Sequence, residues 1–190
     1  MVINVSSPVS LDIIDKLTAG DNLLLSGIVY TARDAAHRRL VAALKEGKKL
    51  PFELAGQTLY YMGPSPARPG RASGAAGPTT SGRMDFYTPP LLAAGLRVMI
   101  GKGDRSAEVK EAMRRSRAIY LVATGGAGAL LAKAVQKAEV IAYPELGPEA
   151  ILRLEVENMP VIVVYDTGGG DLFAAGRAKY SKKREEGGRQ

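Results

Sequence analysis

The second half of the chain alternates strand and helix, and that rhythm leaves few folds open. RVMIGKGD (97–104) reads as a buried strand that stops at Gly-Lys-Gly-Asp. SAEVKEAMRRSRA (106–118) reads as a helix capped by Ser106, with Glu108 in its first turn. IYLVATGG (119–126) is a second buried strand, AGALLAKAVQKA (127–138) a helix and EVIAY (139–143) a strand. GPEAILRLEVEN (147–158) reads as helical, and MPVIVVYD (159–166) as a last strand. Strands separated by helices pair in parallel, which predicts an α/β fold.

The first half carries fewer helices, so a mixed sheet is expected. DNLLLSGIVYTA (21–32) is rich in branched apolar residues and reads as a strand. It leads into TARDAAHRRLVAALKEG (31–47), where Thr31 fits an N-cap with Asp34 three residues on. His37, Leu40, Val41 and Leu44 then define one buried helix face, and Gly47 closes the helix. PFELAGQTLYYMG (51–63) reads as a strand or a hairpin turning at Gly56. TPPLLAAG (88–95) starts a helix, with Thr88 as N-cap and prolines at its head. One domain over residues 1–175 is expected, followed by a basic tail (176–190) whose composition predicts disorder.

Between these halves lies PSPARPGRASGAAGPTTSG (64–82), a long loop with little apolar area to hold it down. Loops of this length are uncommon in compact domains and usually carry function or are disordered. It is expected to be mobile until a ligand or partner arrives. In α/β folds ligands gather beyond the carboxyl ends of strands. Three cations sit beside such ends or in this loop: Arg33, Lys102 and Arg83. Taken singly, each reads as a surface charge. Together, flanked by glycines that let backbone N–H groups approach an anion, they suit a ligand with two carboxylates.

Composition narrows the chemistry. The chain has no cysteine and a single histidine, His37. It therefore holds no disulfide, thiolate nucleophile or cysteine-ligated cluster of its own. The net charge is +7, but the cations are scattered and the tail also carries Glu185 and Glu186. That pattern suits small anions better than a nucleic acid, although a non-catalytic basic module remains the contrasting reading. No apolar run approaches the roughly 20 residues of a membrane span. MVINVSSPVSLDII shows no signal-peptide pattern, so the cytoplasm is the expected address. GPTTSGR lacks the Gly-Lys-Ser/Thr of a phosphate loop, and TGGAGALL (124–131) has Leu131 where a dinucleotide fingerprint needs glycine. His37 faces the apolar side of its helix, so a core histidine is the default over a general base.

Four segments, TARDAAH (31–37), GPTTSGRMD (77–85), IGKGD (100–104) and VYDTGGGDLF (164–173), together resemble the beta subunit of class I fumarate hydratases. The same unit forms the C-terminal domain of single-chain forms, and the L-tartrate dehydratase beta subunit is similar. The resemblance runs from about residue 10 to residue 173. It implies a swivelling-type β/β/α three-layer sandwich with a mixed sheet, and a hydro-lyase that interconverts fumarate and L-malate. It implies a [4Fe-4S] cluster carried by a cysteine-bearing alpha subunit, none bound by this chain, and a heterotetramer of two alpha and two beta chains. By resemblance Arg33, Arg83, Lys102, Thr80 and Gly82 bind the dicarboxylate. Thr79, Lys102 and Asp104 take part in catalysis, with Thr79 at the proton-transfer site. His37 and Asp34 lie in the same motifs as further candidates, and the chain supplies no metal ligand. No nucleic acid and no membrane partner is implied.

Overall fold

The computed structural model describes residues 1–124 and 126–187. Gly125, within TGGAGALL, and the last three residues of the basic tail lie outside them. The elements are β1 (Val2–Ser7), α1 (Leu11–Ile14), β2 (Asn22–Thr31), α2 (Asp34–Lys45), β3 (Thr58–Tyr60), α3 (Thr88–Ala93), β4 (Val98–Gly101) and α4 (Ala107–Arg115). They continue with β5 (Ile119–Val122), α5 (Gly128–Ala134), β6 (Val135–Ala142), β7 (Ile151–Tyr165) and α6 (Leu172–Gly187). Short 3-10 segments cover Ser81–Tyr87 and Pro144–Glu149.

The sheet is mixed, as the uneven helix content implies. β1, β2, β3, β4 and β5 pair in parallel, and β7 runs antiparallel to β2, β5 and β6. β7 meets β5 along one edge and β2 along the other, so β2-β3-β4-β5-β7 closes on itself. Closure leaves these five strands without a free edge, and β1 and β6 flank the ring.

The two-residue period of the strands divides the apolar side chains between two clusters. Val98, Ile100, Ile119, Leu121 and Val163 join Val5, Leu23, Leu25, Leu154 and Val156 in one. Met99, Tyr120 and Val164 belong to the other, with Leu40 and Val41 of α2, Leu91 and Leu92 of α3, and Val109 and Met113 of α4. Helices α2, α3 and α4 therefore cover one face of the sheet. Each fully buried Leu or Val contributes on the order of 1.5–3 kcal/mol, so both layers are well supported.

Several local expectations change. The helix expected over 147–158 is a 3-10 turn followed by β7. Leu152, Leu154 and Val156 are buried while Arg153, Glu155 and Glu157 alternate with them at half-buried or exposed positions. Helix formers differ from the rest by under about 1 kcal/mol each, and ladder pairing on both edges of β7 outweighs that preference. The helix expected over 127–138 stops at Ala134, where β6 begins. PFELAGQTLYYMG contributes only Thr58–Tyr60, and Gly56 (φ +76°) turns without forming a hairpin. β1 was not read from the sequence. Thr31 does not cap α2, because Arg33 holds that position. Its hydroxyl instead reaches Ala150 O at 3.4 Å and accepts from Leu152 N–H at 3.0 Å, tying the end of β2 to the start of β7. Ser106 caps α4 as expected, accepting from Val109 N–H. The segment read as a basic tail enters α6.

Candidate functional site

β2, β3 and β4 are parallel neighbours, so their carboxyl ends lie side by side at Thr31, Tyr60 and Gly101. β7 is antiparallel, which brings its first residues, with Glu149 just ahead of them, to the same edge. Arg33, Asp34, Lys102 and Asp104 all follow directly from these strand ends.

The GPTTSGRMD stretch is stitched onto that edge. Thr79 N–H donates to Tyr61 O at 2.6 Å, and Lys102 N–H donates to Thr79 O at 3.3 Å. Ser81 N–H donates to Lys102 O at 2.9 Å, and Thr80 pairs with Lys102 as a parallel bridge. Farther back, Met62 bridges Pro78, and the Tyr60 hydroxyl donates to Ala76 O. The backbone from Ala76 to Ser81 is thus held like a short additional strand, which sets Thr79 beside Lys102. A glycine is required opposite. A Cβ at Gly101 would lie 1.9 Å from Ser81 Oγ, which the Tyr120 hydroxyl binds at 2.8 Å.

The cations differ in how they are held. Arg33 Nη2 stands 3.4 Å from Glu149 Oε1, and its buried Nε has no partner. Glu149 Oε2 also accepts from Ala35 N–H at 2.8 Å, placing a carboxylate at the positive end of α2. Arg83 is about half exposed (52%) and pairs with Asp34. Lys102 is exposed, with no ion pair among the described residues. Thr80 and Gly82 are exposed and Thr79 half-buried, so this edge is open. Larger clefts lie elsewhere, including one of about 340 Å³ lined by Pro64, Pro66, Val140 and Leu152.

His37 is fully buried. Its Nδ1 lies 2.9 Å from Arg33 O, its Nε2 has no partner, and its ring meets Tyr61 edge-on at 5.0 Å. Burial pulls its pKa down to about 4 against the opposing pull of the Arg33 carbonyl, so the ring is neutral at pH 7. Asp104 behaves oppositely. Its partial burial acts to raise the pKa, but hydrogen bonds from Tyr165, Lys110, the Arg105 N–H and Arg177 outweigh it. The carboxyl is held well below the usual range, which makes it a weak proton acceptor.

Residues 1–176 match the family described as fumarase C-terminus. The chain belongs to that family. This fumarase C-terminus chain is 40% identical over 153 residues to "Fumarate hydratase class I, aerobic" of Escherichia coli (strain K12), covering 80% of the chain and 28% of that protein. It is 36% identical over 163 residues to "Fumarate hydratase 2" of Leishmania major, covering 85% and 29%. It is 35% identical over 179 residues to a Methanocaldococcus jannaschii protein named "Putative L(+)-tartrate dehydratase subunit beta", covering 91% and 92%. The chain thus spans less than a third of the length of these fumarate hydratases.

Sequence reasoning missed four members of the site in this fumarase C-terminus chain. Glu149 was read as part of a helix, and only the antiparallel β7 brings it to Arg33. Tyr61 and Tyr120 were read simply as strand residues. Arg105 stands next to Asp104 in GKGDRS and resembles any other loop cation in the sequence, yet its side chain is 0% exposed. Its Nε donates to Asp85 Oδ1 at 2.7 Å, its Nη2 to Thr88 Oγ1 at 2.7 Å and its Nη1 to the Tyr61 hydroxyl at 3.4 Å. The guanidinium lies 5.3 Å from the Tyr61 ring centre and 5.1 Å from that of Tyr120. A partner twenty residues away leaves no local signal. Among the described residues no three His, Asp or Glu side chains gather as a metal-ligand set, and no helix is long and apolar enough to cross a membrane.

Proposed function

We propose that this chain is the beta-type subunit of an iron–sulfur hydro-lyase that reversibly hydrates fumarate to L-malate, active only with an alpha-type partner. The carrying observation is that Arg33, Arg83 and Lys102 follow or adjoin neighbouring strand ends, with Thr79 bonded through its backbone to Lys102. The swivelling β/β/α sandwich, a cytoplasmic location and a two-alpha, two-beta assembly belong to the same reading.

The residue types suit the chemistry. A dicarboxylate needs a cation at each end, and a guanidinium grips a carboxylate with two parallel N–H donors. The proton next to a carboxylate is weakly acidic. Cations around that carboxylate stabilise the charge that grows as the proton leaves. The Thr79 hydroxyl is a poor base alone, so it acts with a neighbouring group, and the backbone bonds of Thr79 to Tyr61 and Lys102 support a fixed position for it. Thr80 and Gly82 complete the exposed rim. Asp34 and Glu149 orient the two arginines, Asp104 braces the Lys102 loop, and His37 fixes the first turn of α2.

The chain's own residues do not fit an iron–sulfur cluster. It has no cysteine, its one histidine is buried, and no ligand set gathers among the described residues. The cluster is therefore assigned to the alpha-type partner, which also covers the open edge. A tartrate-dehydrating enzyme is the second reading, favoured by the match over 92% of a protein named as a dehydratase beta subunit. The nucleic-acid reading is weaker, because the family match and the curated relatives are named as fumarate hydratases and a tartrate dehydratase subunit. Assaying this chain with an alpha-type partner on malate, fumarate and tartrate tests the proposal.

A further inference from the structure

We infer that Arg105 is a positioning residue that sets Arg83 and Lys102 relative to one another. The inference rests on the reading of those two cations as dicarboxylate ligands. Three site-bearing segments meet at its guanidinium. Asp85 and Thr88, two and five residues after Arg83, accept from Nε and Nη2 at 2.7 Å each. Asp85 Oδ2 also accepts from Ser106 N–H at 2.7 Å, which clamps the 3-10 segment to the loop that begins at Lys102. Thr88 hands the contact back by donating to Met84 O at 2.8 Å, next to Arg83.

The third segment is β3 and its continuation. The Tyr61 hydroxyl accepts from Nη1 at 3.4 Å, and the same residue's carbonyl accepts the Thr79 N–H. The Tyr120 ring centre also lies 5.1 Å from the guanidinium, and its hydroxyl lies 2.8 Å from Ser81 Oγ and 3.0 Å from Gly103 O. One buried cation thus touches or backs each piece of backbone that carries Thr79, Arg83 and Lys102.

A fully buried charge is costly unless it is paired and hydrogen-bonded. A simple packing role would be met by an apolar side chain of similar volume, as buried ion pairs are often replaceable by such groups. A planar fork that reaches two acceptors on one segment while packed against two rings instead fixes distance and angle. Lysine at this position keeps the charge but lacks the rigid planar fork that sets the two acceptors at fixed distance and angle.

Two measurements test the role. The first is hydrogen exchange on the full chain without partner or substrate. Arg105→Lys is expected to speed exchange of the amides in 81–85 and 102–106 on the order of ten-fold or more, while amides in β2, β5 and β7 keep their protection. Uniform acceleration, or none, would overturn the inference. Thr88→Val, which removes one acceptor with little change of shape, is expected to give a smaller shift at the same amides. It decides the question if Arg105→Lys fails to fold.

The second is turnover by the assembled pair. Arg105→Lys is expected to lower kcat/KM for malate on the order of ten- to a hundred-fold, as a misplacement of about 1 Å does. Because Arg105 acts in part through Arg83, the Arg83→Lys/Arg105→Lys double variant is expected to lose less than the product of the two single losses. Fully multiplicative losses would show that Arg105 merely stabilises the fold. A wild-type pair inert on every dicarboxylate would refute the proposed function, and the exchange experiment would still decide whether Arg105 positions these segments.

Discussion

Arg83 Nε donates to Asp34 Oδ1 at 3.0 Å, and its Nη2 stands 2.9 Å from Oδ2 as an ion pair without hydrogen-bond geometry. The pair joins the GPTTSGRMD segment to the first turn of α2, one residue from Arg33. Asp34 therefore orients the guanidinium that the substrate would share. A pair this exposed is worth about 0–1 kcal/mol, too little to exclude a substrate carboxylate but enough to bias the rotamer. Asp34→Asn is expected to raise KM for the dicarboxylate by up to about five-fold with kcat within two-fold of wild type. A lower KM would mean that Asp34 competes with substrate instead.

Arg83→Lys is expected to do more damage than a charge-conserving change normally does. Lysine retains the charge but loses the planar fork. Steady-state kinetics on the assembled pair should show kcat/KM reduced by roughly 2–4 kcal/mol, with circular dichroism unchanged. Near-wild-type kinetics would reduce Arg83 to a surface cation.

His37 gives a pH signature. Its folded pKa is lowered to about 4 by burial, against an ordinary value of 6.5. The unfolded chain takes up a proton below pH 6.5 and the folded chain does not until about pH 4, so stability falls as pH drops through that window. Between pH 7 and pH 5 the histidine should cost about 2 kcal/mol. Asp104 and Asp171, whose pKa values are lowered despite burial by bonds from Tyr165 and Ala174 N–H respectively and from Lys110, add their losses mainly in more acidic solution. Urea titrations at the two pH values should show a flatter dependence for His37→Gln than for wild type. Equal slopes would contradict a neutral buried imidazole.

Gly101→Ala should destabilise the chain by about 1–3 kcal/mol, because the new methyl meets Ser81 Oγ at 1.9 Å. Ser81→Ala removes that oxygen, so the double variant should recover part of the loss. Denaturation midpoints of the two single variants and the double variant measure the coupling. Simple additivity would show that the strand yields elsewhere.

How much of this was legible in the sequence differs by element. β4, α4 and β5 were readable because Val98–Gly101 and Ile119–Val122 are uninterrupted apolar runs and Ser106 caps the helix between them. MPVIVVYD reads as a strand and forms the second half of β7, but its first half reads as helix because Glu, Leu and Arg favour helices, and its strand character comes from pairing with β2 and β6, partners distant in the chain. The same blindness hid Glu149, which reaches Arg33 only through that strand. Lys102 and Arg83 carry a local signal because each stands next to a glycine, and Arg33 because it follows the apolar run of β2. Arg105 gave none, since burial of a charge depends on Asp85, Tyr61 and Tyr120 converging from three other segments. The glycine- and proline-rich composition of 64–82 predicted a loop correctly but did not reveal that Ala76–Ser81 is bonded to the sheet.

The most direct test is a hydratase assay of this chain alone and together with an alpha-type partner, with iron measured in each sample. The account predicts no iron and no turnover in the chain alone, and turnover of malate and fumarate, or of tartrate, in the pair. Hydratase activity from the chain alone, or a pair loaded with iron yet inert on all three dicarboxylates, would contradict it.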